Sequence, residues 1–190
     1  MTVWTIGHGA READAFVSLL RSAGVQTLVD VRRFPGSRRH PQFNQAALAS
    51  TLAEAGIAYR HEVELGGRRS GEPGEERFGC IETPAFRSYA ARMSSPRWLD
   101  ALDRVLARPD PCFMCAERDL TKRTNTGVAL MCAETLWWRC HRRLIAELLH
   151  ARGYEVIHLL GPGKAQPHRP WDGVAEVRDG RLYLCGELVA

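Results

Sequence analysis

Between Leu130 and Arg143 the chain reads LMCAETLWWRCHRR, a crowding of groups that can attack, move protons or hold anions. A cysteine becomes a strong nucleophile as its thiolate, and a neighbouring histidine can take its proton. A glutamate can serve as general acid or base, and arginines fix carboxylates and phosphates. Cys132 and Glu134 lie two apart, so in extended chain they share one face. A helix is expected over 139–152, with Cys140 and His141 in its first turn. Unpaired N–H groups and the helix dipole there favour anions, lower a thiol pKa and keep an imidazole neutral. Arg139, Arg142 and Arg143 add positive charge, so a phosphate, a carboxylate or a developing oxyanion fits the place.

Plainer roles compete for the same residues. Cys140 precedes Leu144 and Leu148 at helical spacing and would fill a core as a buried thiol. His141 stands likewise before Ile145. Arg143 and Glu147 have the i,i+4 spacing of an ordinary surface pair. Trp137 and Trp138 fit a packing plug better than a stacking platform.

Such residues need elements to bring them together. TVWTIGH, VQTLVDV, IAYRHEV, GVALMC and YEVIHLL read as short strands. Helical spacing or capping signals mark EADAFVSLLRSAG, closed by Gly24, and Gln45–Ala55, with Asn44 as its cap. Thr83-Pro84 and Ser95-Pro96 open two more helices. The Gly-rich LGGRRSGEPGEERFG is expected to be the most mobile loop. Alternating strands and helices imply a single α/β domain over 1–190, with a mostly parallel sheet and helices on both faces. Asp179-Gly180 adds a small C-terminal β-hairpin. FMCAE at Phe113 is nearly repeated as LMCAE at Leu130, and an insertion is expected around 109–127, with the second copy as the central strand.

In an open parallel sheet, ligands bind beyond the carboxyl ends of the strands. The first strand delivers His8 to that rim, the second Asp30, Arg32 and Arg33, and GVALMC delivers Cys132 and Glu134. The last delivers His158 and then Gly161-Pro162-Gly163-Lys164. The expected catalytic set is therefore Asp30, Cys132, Glu134, Cys140 and His141, with His8, Arg32, Arg33, Arg142 and His158 binding substrate. No metal ligand and no cofactor is assigned. Arg32, Arg33, Arg38, Arg39 and His40 form the densest basic cluster, interleaved with Phe34, Pro35 and Phe43. It reads as an anion or nucleic-acid surface or as a solvated loop.

The 190 residues suffice for one core, and 45% hydrophobic with 25% charged residues argues against wholesale disorder. A net charge of +4 is compatible with phosphate-bearing partners without selecting them. No apolar run is long enough to span a bilayer, and MTVWTIGHGA has no signal-peptide pattern, so a cytoplasmic protein is expected. Its six cysteines are then expected as thiols, metal ligands or buried apolar groups rather than disulfides. No oligomeric state is assigned.

TIGHG, LVDVRRFPGSRRHPQF, LGG, FRSYAARM and the long run from LMCAE to VIHLL together resemble the domain of unknown function 488 family, from Thr5 to about His158. The family pattern begins TIGHS, with Gly9 here in place of the serine. The resemblance implies a small bacterial or archaeal α/β protein. Its recurrent polar positions match the ten site residues named above, but it implies no settled activity. Three functions compete. The first is an enzyme acting on a phosphate-bearing substrate: a nucleotide, a modified nucleobase or nucleic acid. The second is a metal (zinc) or redox module using Cys112, Cys115, Cys132 and Cys140, with His141 adjacent. The third is a non-catalytic nucleic-acid-binding protein.

Overall fold

The computed structural model describes residues 1–107 and 125–190, with side chains from residue 127 onward in the second part. Cys112, Cys115, the first MCAE copy and most of the expected insertion lie outside the described residues. Five parallel strands form the sheet: β1 (Thr2–Gly7), β2 (Thr27–Asp30), β3 (Ala58–His61), β4 (Asn125–Cys132) and β5 (Glu155–Gly161). Their order is β3-β2-β4-β1-β5, and β6 (Lys164–Pro167) pairs antiparallel with the outer edge of β5.

Strand periodicity sorts the side chains between two cores. Leu28, Ala129 and Met131 face α1 (Ala13–Ser22) and α2 (Gln45–Glu54), meeting Phe16, Leu20, Leu48 and Leu52. Val29, Leu130 and Cys132 face the opposite way, toward α3 (Pro84–Met93), α4 (Pro96–Leu106) and α5 (Arg142–Ala151). Each fully buried side chain of this kind contributes roughly 1.5–3 kcal/mol. The N–H groups of Gly24 and Val25 close α1 onto Arg21 and Leu20 in a Schellman pattern. The expected doubly wound α/β fold is thus present.

The topology itself marks a site. After β1 the chain crosses one face through α1 toward β2; after β4 it crosses the other face through α5 toward β5. The helices leave two adjacent strands in opposite directions, which opens a crevice between the carboxyl ends of β1 and β4.

Several local expectations need correction. The helix expected from Arg139 begins at Arg142: residues 137–139 form a 3-10 turn, and Cys140 is extended (φ −124°, ψ 150°). Cys140 and His141 therefore precede the helix rather than forming its first turn. Asn44 precedes α2, but its carboxamide oxygen accepts the Ser37 N–H (2.6 Å) instead of capping α2. Gly161–Lys164 is the turn joining β5 to β6; it lies at the carboxyl end of β5 but is not among the cleft residues. Leu65 and Phe78 at the two ends of the Gly-rich loop are buried, and residues 68–77 between them are exposed or partly exposed.

The C-terminal hairpin β7 (Ala175–Arg178) and β8 (Arg181–Leu184) turns at Asp179-Gly180, both at positive φ, and gains a third strand, β9 (Glu187–Leu188). Leu182 and Leu184 join the α5 core. Cys80 and Cys185 form a disulfide with Cα atoms 5.6 Å apart, contrary to the thiol reading of these two. It ties the C-terminal sheet to the loop before α3. No helix among the described residues is long and apolar enough to cross a membrane.

Candidate functional site

A cleft of about 570 Å³ lies at the predicted crevice. His8 and Gly9 reach it from β1, Arg32 to Phe34 from β2, and Cys132 to Thr135 from β4. Arg139, Cys140 and His141 enter from the turn before α5, with Gly67, Arg68 and Phe86 opposite. Its volume suits a small-molecule ligand. Seven of the ten nominated residues line it: His8, Arg32, Arg33, Cys132, Glu134, Cys140 and His141. A second cavity of about 440 Å³ lies at the other end of the sheet, beside Tyr154, Glu155 and His168.

Asp30 does not line the cleft but stands behind it, fully buried. Its Oδ1 accepts the Arg32 backbone N–H (3.0 Å) and Nε–H (2.9 Å). Its Oδ2 accepts Arg32 Nη2 (2.6 Å) and the Tyr59 hydroxyl (2.8 Å). With both oxygens so engaged, the carboxylate is an anchor rather than a free base. Burial and the Asp30 charge push the Tyr59 hydroxyl pKa upward. Arg32 Nη2 also donates to the Phe43 carbonyl (2.8 Å). Its Nη1 lies 3.3 Å from His8 Nε2, and both residues line the cleft.

That donation identifies the His8 tautomer: Nε2 accepts, and Nδ1–H donates to the Gly9 carbonyl (2.8 Å). The ring stacks on Phe43 at 4.2 Å. Burial lowers its pKa to about 4; the Gly9 bond opposes this and the Arg32 charge reinforces it. His158 is lowered further, to about 3, by burial and then by His168 and Arg142.

Both histidines are neutral when folded and protonate near pH 6.5 when unfolded. Between pH 6.5 and about 4 the unfolded chain therefore binds more protons, and stability falls as pH falls. Urea unfolding at several pH values across this window should show that slope. His8→Gln should flatten it by about one proton. An unchanged slope in the variant would mean that His8 already titrates normally in the folded protein.

Cys132, Cys140 and His141 converge on the cleft floor. His141 Nδ1 lies 3.5 Å from Cys140 Sγ and 4.0 Å from Cys132 Sγ, while Nε2–H points at the Val31 carbonyl (3.1 Å). The outer nitrogen thus carries the proton, and the lone pair of Nδ1 faces the sulphurs. Burial opposes ionisation of Cys140, but the Cys132 S–H donation, the imidazole of His141 when it is protonated, and the Arg142 charge hold its pKa well below the usual thiol range. Cys132, donating to Cys140 and buried, is pushed well above it. Gly67 closes over the imidazole: a Cβ there would stand 2.4 Å from His141 Nδ1. Gly66 is also closely packed, a Cβ there standing 2.8 Å from the Val63 carbonyl oxygen and 2.9 Å from the Arg33 backbone, which accounts for the paired glycines of LGG.

Glu134 is exposed on the cleft wall, and its Oε1 accepts the Leu136 N–H (3.2 Å). Gly9, at φ +55°, packs on Thr135; a Cβ there would lie 2.3 Å from the Thr135 hydroxyl oxygen. The serine of the TIGHS pattern could not occupy this backbone unchanged.

Arg142 and His158 are not among the cleft residues. Arg142 is buried and donates to the Glu134 carbonyl and toward the Thr5 hydroxyl (3.5 Å). It buttresses the loop that carries Glu134. His158 is fully buried within β5, its Nδ1 2.7 Å from the Thr5 hydroxyl and its Nε2 3.1 Å from His168 Nδ1. Trp137 stacks on it at 4.0 Å, a packing role, while Trp138 is exposed. Glu147 accepts the Trp171 N–H (2.9 Å) and lies 3.3 Å from His168 Nε2, close but poorly aligned for a hydrogen bond. Glu147 is buried, so its expected surface pairing with Arg143 gives way to this network; Arg143 instead lies over the Trp171 ring at 3.6 Å.

Sequence reading missed Tyr59, Gly67, Thr135 and His168. Tyr59 carried a usable signal, since pairing of β2 and β3 sets it opposite Leu28, two residues before Asp30, where its hydroxyl reaches the Asp30 carboxylate (2.8 Å). No curated protein and no solved structure matches the chain. The family model described as Domain of unknown function DUF488 matches residues 12–125 and 118–149. The match reaches from α1 through most of α5 and takes in every cleft residue except His8 and Gly9, so the chain belongs to the DUF488 family.

Proposed function

We propose that this protein is an enzyme acting on a phosphate-bearing substrate, a nucleotide, modified nucleobase or nucleic acid, held in the β1–β4 cleft. The observation that carries this reading is Arg32. It is buried, aligned by Asp30, and lines a cavity of about 570 Å³ together with His8, which its Nη1 meets at 3.3 Å. A preorganised guanidinium at the mouth of a parallel sheet is a strong anion contact. Arg33, Arg68 and Arg139 add exposed charge around the same opening. Neutral His8 can accept or relay a proton beside the bound anion. Glu134 is the free carboxylate on the wall and takes the role of general acid or base. The Cys132–Cys140–His141 cluster supplies the reactive floor.

Calorimetric titration with inorganic phosphate and a mononucleotide tests binding. Arg139→Gln should weaken binding about tenfold or more, as expected for loss of one charge-assisted hydrogen bond. Turnover is to be followed by mass change in a panel of nucleotides. Glu134→Gln should retain binding and lose about 10²- to 10⁴-fold in rate. Equal turnover in Glu134→Gln and the parent would remove Glu134 from the chemistry; no saturable binding of any of these anions would remove the substrate class.

A binding-only reading has one observation in its favour. Phe34 is 61% exposed with the Arg33 guanidinium 5.3 Å from its ring centre, and Arg38 and Arg39 follow nearby. Aromatic faces among arginines suit single-stranded nucleic acid. Fluorescence anisotropy with a labelled oligonucleotide at several salt concentrations separates the readings. Steep salt dependence, lost in Phe34→Ala, together with no turnover would favour binding alone.

A further inference from the structure

We propose that Cys132, Cys140 and His141 form a three-ligand zinc site whose fourth position opens into the cleft. The proposal deepens the enzymatic reading, because it gives the floor of that cleft a chemistry, and it rests on that reading only for the ligand that fills the open position.

The geometry is the first argument. Zinc bonded to sulphur at about 2.3 Å and to nitrogen at about 2.1 Å in a tetrahedron places those atoms about 3.6 Å apart. The two sulphur–nitrogen separations here are 3.5 and 4.0 Å, and the three ligand atoms all lie within 4.8 Å of one another. An ion needs only small side-chain adjustments to reach all three.

The orientation of the imidazole is the second. A metal-binding histidine is usually held by its other nitrogen, through an N–H to a carbonyl or carboxylate. His141 has that support in the Val31 carbonyl at 3.1 Å. Gly67 packs against the ring, and the Tyr89 ring lies 5.0 Å away, its own hydroxyl tied to the Leu65 carbonyl (2.7 Å). Nδ1 is thus presented to the sulphurs before any ion arrives.

The ligand set is the third. Two thiolates and an imidazole match the soft-to-borderline preference of zinc, and two thiolates balance its charge. A nucleophilic cysteine needs one thiol and one base. Here two buried sulphurs are aimed at the same imidazole nitrogen, one more than that chemistry requires. All three residues line the cleft, and Cys132 and His141 each keep 9% exposure, so the fourth coordination position faces solvent and ligand rather than core. Catalytic zinc sites keep such an open position for water or a substrate oxygen.

Protein prepared without chelators should carry about one equivalent of zinc per chain, measured by elemental analysis. Cobalt substitution should produce strong visible ligand-field bands with thiolate-to-cobalt charge transfer, and added azide should shift those bands by occupying the open position. His141→Asn and Cys140→Ser should each lose most of the metal, while Cys112→Ser/Cys115→Ser keeps it. Should the single variants fail to fold, the cobalt spectrum of the Cys112→Ser/Cys115→Ser protein still decides. Metal-free protein that takes up neither zinc nor cobalt overturns the proposal, as does a zinc content abolished by Cys112→Ser/Cys115→Ser alone. A Cys132–Cys140 disulfide that forms on handling and leaves no metal-binding thiols also overturns it, in favour of a redox pair. Titrating phosphate into metal-loaded and metal-free protein keeps the two ideas apart. Zinc without anion binding retains the site and rejects the substrate class; anion binding without zinc does the reverse.

Discussion

Asp30→Ala is expected to lower folding stability by about 3–5 kcal/mol, because it leaves the buried Arg32 guanidinium without its counter-charge. Asp30 is fully buried and Arg32 is 5% exposed. Four of the donors around them, three from Arg32 and the Tyr59 hydroxyl, converge on the one carboxylate. Removing it strands a cation and a phenol together, and the Phe43 carbonyl can satisfy only part of that loss. Urea unfolding of the variant checks the figure. A double replacement, Asp30→Leu with Arg32→Met, should recover much of the loss, since matched apolar side chains often equal a buried ion pair. The double variant should nevertheless bind no anion. Stability and function would then be separated at one pair of residues. A loss below about 1 kcal/mol in Asp30→Ala would show that Arg32 finds other partners, and the preorganised-anion argument would fall with it.

The pair also shows what sequence can and cannot supply. Asp30 and Arg32 were legible as rim residues because a short apolar run ended in a polar burst, and strand order was not needed to see it. Their roles were not legible. In extended chain both point to the same side, and only the fold decides that one turns inward as an anchor while the other spans anchor and cleft. His158 failed differently. It was placed at a strand end from its position in YEVIHLL, but β5 runs on to Gly161, so the side chain lies inside the sheet. Strand ends are the least certain part of a periodicity argument, and a shift of two or three residues moves a residue from rim to core. Arg142 followed from the helix boundary. With α5 starting there rather than at Arg139, its side chain packs beneath the β4 loop, and the exposed Arg139 takes the cleft position.

The cysteines divide on the same physical ground. Cys132 and Cys140 were recognisable because strand and turn lie close together in the chain. The Cys80–Cys185 pair spans 105 residues. Neither partner sits in a local motif, and their approach depends on the C-terminal sheet folding back over α5. The zinc reading shifted for a related reason. Counting thiols favoured a four-cysteine set, whereas the folded chain assembles two thiols with an imidazole, and that imidazole is adjacent to one of them in sequence.

Gly7→Ala should have the second large effect, through backbone rather than charge. A Cβ on Gly7 would stand 1.9 Å from the Glu134 carbonyl oxygen and 2.7 Å from the Thr135 Cα. Both are main-chain atoms, so no rotamer change relieves the contact. The end of β1 and the loop after β4 would have to separate by about 1.5 Å to restore ordinary van der Waals distance. That separation stretches His8 N–H to the Cys132 carbonyl and Gly9 N–H to the Ala133 carbonyl, both now 3.0 Å, and the Arg142 contact to Glu134. Lost hydrogen bonds at about 0.5–1.5 kcal/mol each, with the packing strain, sum to roughly 3 kcal/mol or more. Gly36→Ala is the control: it lines the same cleft, yet a Cβ there meets nothing within 4 Å, and it should be close to neutral. The comparison reads function as well as stability. If the cleft works because β1 and β4 are clamped at Gly7, phosphate affinity should fall in Gly7→Ala under conditions where the variant is still folded, and hold in Gly36→Ala. A Gly7→Ala protein as stable as the parent would mean the clamp yields easily, and the close approach of the two strand ends could no longer be what keeps Glu134 and Cys132 in register.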